Sequence, residues 1–252
     1  MMPLRADLRA TTVGGGLLAA LACMLAAAPA AAATVDFAGY TWEVREGGGG
    51  PGPNHWSADN VHVDADGLHL RIAVVAGQWS CAEVTLTRSL GFGTYEFELA
   101  GRPDRFDRNI VLGLFDYPTA DIGPDGTNEI DIEFAQWGDA GNDRRLNWTV
   151  YPPSLGPAPT HHEVPLALAG DASTHRFDWS ATGVKFTSFD GWQDAGGLSR
   201  IAKWYDAPVK PRRHIPQQPL PVHMNLWLFQ GHAPVDGQEV EVVIRSFSFT
   251  AR

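Results

Sequence analysis

The sequence predicts an all-β fold, a sandwich or a barrel of short strands. Three observations lead to this prediction. Apolar and polar residues alternate in short runs, which is the two-residue period of a half-buried strand. Turn residues separate these runs at the close spacing typical of sandwiches and barrels. From Thr34 onward no stretch shows a convincing amphipathic helix, so we expect strands throughout that part of the chain.

The first 33 residues of the chain predict a secretory signal peptide. Arg5 and Arg9 precede an apolar run over about residues 13–28, and an A-x-A-like cleavage site ends at Ala33. The apolar run is shorter than the roughly 20 residues that a membrane span needs. We therefore expect cleavage near Ala33 and a secreted or periplasmic protein. An uncleaved anchor and a lipid on Cys23 are the alternatives.

Residues 34–252 are expected to form one domain, because no linker or second core interrupts the strand pattern. The clearest elements, in order, are a hairpin over 61–72, a strand over 95–99, a second hairpin over 176–187 and a terminal strand over 240–249. The longest stretch without a clear strand is Asp190–Pro221. Its prolines predict an excursion over the surface.

Composition excludes several classes of function. The chain of 252 residues carries a net charge of −10, which argues against a nucleic-acid binder and a basic membrane-surface protein. Its two cysteines, Cys23 and Cys81, cannot build a disulfide scaffold or a zinc ribbon. The nine histidines are scattered, so we expect no metal and no cofactor.

The segment with the clearest chemistry is Glu129-Ile130-Asp131-Ile132-Glu133. In a strand, residues two apart share a face, so the three carboxylates line up on one side and the isoleucines pack on the other. A solvated outer face and a calcium site are the alternatives to a catalytic site. Three carboxylates in one file repel each other, and no basic residue occurs between Asn109 and Asp143 to compensate them.

A file of carboxylates suits glycoside hydrolysis. Retaining glycosidases need two carboxyl groups about 5–5.5 Å apart, and the side chains of Glu129 and Glu133 can lean inward to that distance. The charge of Asp131 between them should raise the pKa of a neighbour and keep one glutamate protonated as an acid. Trp137 would share this acidic face if the strand continues. Tryptophan rings stack on sugar rings, which favours the same class of function.

The pentapeptide resembles the ExDxE signature of glycoside hydrolase family 16. Further similar segments follow the family's order, among them Cys81-Ala82-Glu83 and Met224-Asn225-Leu226-Trp227. The matches span about residues 56–249. The spacing lacks the extra residue of laminarinase-type members, and it is similar to the licheninase and xyloglucan transferase branch.

The resemblance implies a β-jelly roll of two curved antiparallel sheets with a concave substrate cleft. It implies Glu129 as nucleophile, Glu133 as general acid/base and Asp131 as assistant. Four further residues match positions that line the cleft of licheninase-type members: Glu83, Asn147, Asn225 and Trp227.

Some positions depart from the licheninase pattern. The disulfide partner of Cys81 would fall at Asn54, so that bridge is absent. Licheninases usually have an arginine two residues after the cleft glutamate, where this chain has Thr85. They usually have a tryptophan two residues before the nucleophile, where this chain has Thr127. The calcium-binding aspartate of the final strand corresponds to Ser246 or another non-acid, so calcium is not implied.

These features lead to the expectation of an exported, monomeric, retaining endo-β-glycosidase. Its partner would be a polysaccharide, a β-1,3/1,4-glucan, with no nucleic acid and no membrane after signal removal. A transglycosylase on the same fold and a non-catalytic carbohydrate-binding protein are the alternatives.

Overall fold

The computed structural model of the protein describes residues 32–193 and 198–252, where the chain forms strands with short connections. In chain order the strands are β1 (Thr34–Phe37), β2 (Tyr40–Val44), β3 (Gly47–Gly49), β4 (Asn54–Trp56), β5 (Val61–Val63), β6 (Leu68–Val75), β7 (Gln78–Ser80), β8 (Ala82–Leu90), β9 (Gly93–Ala100), β10 (Ile110–Asp116), β11 (Ile130–Phe134), β12 (Leu146–Val150), β13 (Thr160–Val164), β14 (Ala172–Ser180), β15 (Gly183–Asp190), β16 (Ser199–Asp206), β17 (Leu220–Leu228) and β18 (Val240–Ala251). The expected signal peptide lies outside the described residues, except for its last two.

Single 3-10 turns lie at Ala58–Asn60, Pro103–Arg105, Pro211–Arg213 and Phe229–Gly231. None of the helices described is long and apolar enough to cross a membrane.

Two large antiparallel sheets confirm the predicted jelly-roll sandwich. The sheet that we call the cleft sheet has the order β1-β2-β8-β17-β10-β11-β12-β13. The other, the outer sheet, has the order β16-β15-β14-β9-β18-β6-β5, with β7 paired to β6. Strands distant in sequence are neighbours in both sheets, so the sandwich depends on non-local pairing.

The core lies between the sheets and follows the alternation of the strands. On β11, Ile130, Ile132 and Phe134 are fully buried, and on β9 the same is true of Tyr95 and Phe97. Large aromatic rings fill much of this layer, because each buries a large apolar area and can pack edge to face with its neighbours. The predicted hairpins at 61–72 and 176–187 are present as the pairs β5–β6 and β14–β15.

The prediction of no strand between Asp190 and Pro221 was wrong for Ser199–Asp206, which forms β16 at the edge of the outer sheet. An edge strand has one neighbour, and side chains such as Lys203 and Tyr205 stay exposed. The alternation of apolar and polar residues is therefore too weak to reveal the strand in the sequence.

The Gly/Pro-rich segment Gly47–Pro53 forms part of a short hairpin. Its strands β3 and β4 pair with each other and stand apart from the two large sheets. The tip of the hairpin places Gly50 and Pro51 against a cavity on the cleft sheet.

Candidate active site

An open cavity of about 700 Å³ lies over the middle strands of the cleft sheet. The carboxyl-bearing residues Glu129, Asp131 and Glu133 contribute to its lining. Glu129 directly precedes β11, after Asn128 in the left-handed backbone region (φ 52°), and Asp131 and Glu133 lie on the strand itself. The three predicted carboxyls therefore share one face, opposite the buried isoleucines.

Strand register assembles the floor of this cavity from residues far apart in sequence. Glu133 lies opposite Gly113 of β10, Gly113 opposite Asn225 of β17, and Asn225 opposite Glu83 of β8. A Cβ atom on Gly113 would stand 2.5 Å from Oδ1 of Asn225. Glycine at this position therefore leaves room for the Asn225 side chain beside the carboxyl file.

Burial raises the pKa of each carboxyl in the file, and repulsion between the carboxylates adds to this for Glu129 and Asp131. Burial, and then the charge of Glu133, raises the pKa of Glu129 to about 8. Burial raises the pKa of Glu133 to about 7. Burial and both neighbouring glutamates also raise the pKa of Asp131 well above its usual range.

The sequence-based explanation of these pKa values needs a correction. Asp131 was expected to raise the pKa of a glutamate through its negative charge. Burial and both glutamates instead raise the pKa of Asp131 itself, and its hydrogen bond with Glu129 lowers the pKa of Glu129. A protonated Asp131 is thus placed to donate a hydrogen bond to the carboxylate form of Glu129.

Glu83 is an ionised carboxylate at one side of the cavity. Its Oε2 accepts from Nη1 of Arg45 at 3.0 Å and from Nδ2 of Asn225 at 3.3 Å, and its Oε1 lies 3.4 Å from Nδ1 of His223. Burial alone would raise the pKa of Glu83, but its interactions with His223, Arg45 and Asn225 lower it overall. The carboxylate is therefore available as an acceptor for a ligand hydroxyl.

Two tryptophans form an aromatic wall of the cavity. The rings of Trp137 and Trp227 are 6.4 Å apart and tilted by 53°. Trp227 is only 7% exposed and packs with the hydrophobic core, so it serves both the core and the cavity surface. Trp137 reaches the cavity from a turn, because β11 ends at Phe134 and Trp137 has a φ of 55°.

Asn147 differs from the other predicted substrate-binding residues in its position. It lies opposite Glu133 on β12, but it is buried and is not part of the cavity lining. Its Oδ1 accepts the indole N–H of Trp137 at 3.2 Å, and its Nδ2 donates to the backbone carbonyl of Arg145 at 3.2 Å. Asn147 is therefore arranged to hold Trp137, and its part in substrate binding stays a prediction.

Several lining residues were missed by sequence reasoning: Arg45, Phe115, Tyr117, Tyr151 and His223. His223 and Phe115 lie in the row of Asp131, and their rings stack at a centroid distance of 5.1 Å. The period-two alternation of β17 could have indicated His223, since it shares a face with Asn225 and Trp227. Arg45, Tyr117 and Tyr151 each lie just after the end of a strand, so no such periodic signal marks them.

Cys81 is buried and free, as the absence of the licheninase-type bridge predicted. Its thiol donates to Oδ1 of Asn54 at 3.4 Å. The amide of Asn54 in turn donates to the carbonyl oxygens of Pro51 (2.7 Å) and Leu228 (2.9 Å). A chain of hydrogen bonds thus fixes the hairpin tip beside the cavity.

Comparison with solved structures identifies the same fold in β-glucanases. A Bacillus licheniformis β-glucanase is 24% identical over 84% of this chain and 92% of its own, with a TM-score of 0.59. A lichenase from a mouse hindgut metagenome is 22% identical over 82% and 92%, with a TM-score of 0.58. A Bacteroides ovatus family 16 enzyme in complex with a G4G4G3G product is 16% identical over 83% and 94%, with a TM-score of 0.63.

Proteins with other activities have this fold as well. They include a Crh5 transglycosylase (16% identity, 88% of this chain and 84% of its own, TM-score 0.54) and a pseudo β-1,3-glucanase of Mycobacterium tuberculosis (20%, 81% and 88%, TM-score 0.57). No protein-family model matches the sequence, and no curated protein matches it. The structural likeness shows that the chain has the licheninase-like fold of glycoside hydrolase family 16.

Proposed function

We propose that the protein is a retaining endo-β-glycosidase that hydrolyses internal β-linkages of a mixed β-1,3/1,4-glucan. The observation that carries the proposal is the file of Glu129, Asp131 and Glu133 on the floor of an open cavity, where burial raises the pKa of Glu133 to about 7 and so favours its role as an acid. The open cavity suits an internal stretch of a polysaccharide. The β-glucanases of the same fold support the choice of substrate.

In the proposed first step, the Glu129 carboxylate attacks the anomeric carbon while the glycosidic C–O bond breaks and Glu133 gives its proton to the leaving oxygen. In the second step, Glu133 takes a proton from water, the water oxygen attacks the anomeric carbon, and the bond to Glu129 breaks. The hydrogen bond from Asp131 stabilises the carboxylate form of Glu129 before attack and after release.

The remaining groups fit a neutral sugar chain. The guanidinium of Arg45 is already paired with Glu83, so it offers little attraction to an anionic polymer. Glu83 and Asn225 present hydrogen-bonding groups for hydroxyls, and Trp137 and Trp227 present apolar faces. We also propose that the protein is exported, on the basis of the residue pattern that ends at Ala33.

The test is a reducing-sugar assay of the chain from Thr34 on mixed-linkage glucan, β-1,3-glucan, β-1,4-glucan, agar and carrageenan. We expect release of oligosaccharides from mixed-linkage glucan with an early fall in viscosity, because cleavage is internal. Glu133→Gln should lose about 10²–10⁴-fold in kcat, the usual contribution of a general acid. Glu163→Gln is the matched control, since Glu163 lies on the same row in β13 but outside the cavity.

Two outcomes would contradict hydrolysis. Formation of longer chains from short oligosaccharides would indicate a transglycosylase. Binding of glucan without any cleavage, unchanged in Glu133→Gln, would indicate a carbohydrate-binding protein.

A further inference from the structure

We propose that His62, Asp64 and His69 form a binding site for a divalent transition metal of the Zn²⁺ type at the edge of the outer sheet. The nitrogen and oxygen donors of the three side chains all lie within 4.8 Å of one another. The site lies on a different sheet from the carboxyl file, so it is independent of the proposed glycosidase activity.

Strand pairing creates this cluster. His62 of β5 and His69 of β6 are direct cross-strand partners, and their rings stack at a centroid distance of 4.1 Å. Six residues separate the two histidines in sequence, and the hairpin of β5 and β6 brings them together. Two imidazole nitrogens and one carboxylate oxygen are the donors that zinc takes in proteins, whereas calcium and magnesium prefer oxygen alone.

The spacing of the donors allows metal coordination after a small movement. Three donors that are at most 4.8 Å apart have a common point that lies within about 2.8 Å of each of them. Zinc bonds to nitrogen and oxygen are about 2.0–2.2 Å long. The donors are therefore less than about 1 Å from bonding distance, and the exposed His62 ring has to rotate out of its stack on His69 so that its nitrogen points at the ion.

A second carboxylate orients His69. Its Nδ1 lies 3.0 Å from Oε1 of Glu241 on β18, and its Nε2 lies 3.0 Å from Oδ1 of Asp64. A metal ligand histidine usually donates its other N–H to a carboxylate in this way. On metal binding, Nε2 would lose its proton to solvent and bind the ion, and Nδ1–H would continue to donate to Glu241.

The turn that carries Asp64 is held rigidly. Oδ1 of Asp64 accepts the backbone N–H of Asp66 at 2.8 Å, and the backbone N–H of Asp64 donates to the carbonyl of Gly67 at 3.0 Å. Gly67 has a φ of 141°, and a Cβ atom there would come within 2.3 Å of the carbonyl oxygen of Ile244. The ligands are thus partly preorganised, and a bound ion would tie the edge strand β5 to β6.

The test is a calorimetric titration of the tag-free chain from Thr34 with ZnCl₂. We expect one Zn²⁺ per chain and, at a zinc concentration about 100 times Kd, a rise in Tm on the order of 5 °C. His62→Ala should weaken binding at least about tenfold, because it removes one of three ligands. Glu241→Gln should weaken it about 10-fold or more through the orientation of His69.

His161→Ala is the matched control, since His161 is an exposed strand histidine of the cleft sheet. It should bind zinc like the wild type, and CaCl₂ should neither bind at this site nor displace zinc. Absence of zinc binding, equal affinity of the wild type and His62→Ala, or loss of binding in His161→Ala would each overturn the proposal.

Discussion

At the residue scale, the cavity is organised by side chains that hold other side chains. Arg45 is an example, because its guanidinium lies 4.2 Å from the ring centroid of Trp56 and 3.0 Å from the carboxylate of Glu83. The licheninase pattern has an arginine where this chain has Thr85. Here Arg45, which directly follows β2, reaches Glu83.

Replacement of Arg45 by Met should destabilise the protein in a pH-dependent way. The folded-state pKa of Glu83 is lowered, so its interactions stabilise the fold above about pH 4.5. This stabilisation disappears as the pH falls and Glu83 takes up a proton. We expect Arg45→Met to cost about 1–2 kcal/mol of unfolding free energy at pH 7 and clearly less at pH 3.5. Urea denaturation at both pH values measures this. An equal cost at both would mean that the arginine acts through packing on Trp56 alone.

Replacement of Asn147 by Ala should impair substrate binding more than chemistry. The substitution removes the acceptor for the indole N–H of Trp137, so the ring loses its fixed orientation. We expect KM on the preferred glucan to rise several-fold while kcat stays within about twofold. In the double variant Asn147→Ala/Trp137→Phe, KM should be little higher than in Trp137→Phe alone. Additive effects in this cycle would place Asn147 in direct contact with the substrate.

At the element scale, the inward face of β11 stabilises the fold, whereas its outward face carries carboxyls whose burial is unfavourable. Its inward residues are fully buried, and this fixes the strand in the core. The same strand holds Asp131 and Glu133, with Glu129 just before it, where burial disfavours their charged forms. Stability of the inner face therefore keeps a set of mutually repelling groups in place.

This arrangement predicts that Glu133→Gln stabilises the fold at high pH. A carboxyl whose folded pKa is raised from 4.5 to about 7 binds its proton more tightly when folded. Its contribution is therefore greatest below about pH 4.5 and is lost as the pH rises through 7. We expect Glu133→Gln to gain about 1–3 kcal/mol relative to the wild type at pH 8 compared with pH 4.5. Glu163→Gln should show no such difference, and a pH-independent effect of Glu133→Gln would contradict the raised pKa.

At the scale of the whole molecule, much of the fold was predictable because alternation and turns are local signals. Such signals identified the hairpins at 61–72 and 176–187 and the common face of Glu129, Asp131 and Glu133. The edge strand at Ser199–Asp206 was not predictable, because solvent on one side weakens the alternation. Neighbours such as Arg45 and Glu83, or Asn225 and Glu83, depend on register between distant segments, which the sequence does not display.

The two sheets together should protect Cys81 from reagents. Burial raises the pKa of its thiol to about 12, so very little thiolate is present at neutral pH, and the side chain is inaccessible. In the chain from Thr34, where Cys81 is the only cysteine, we expect slow labelling by a thiol reagent in buffer and complete, rapid labelling in denaturant. Rapid labelling of the native protein, or a disulfide-linked dimer, would contradict the buried position.

The central claim is that Glu129 is the nucleophile and Glu133 the acid of a retaining glycosidase. The most direct measurement is the anomeric configuration of glycosyl azides formed by Glu129→Ala and Glu133→Ala on a glucan substrate with an activated leaving group. In Glu129→Ala, azide should attack from the vacated face and give the inverted azide. In Glu133→Ala, the covalent intermediate should still form, and azide should then give the retained configuration. The same azide anomer from both variants, or an inverted sugar from the wild type, would contradict these roles.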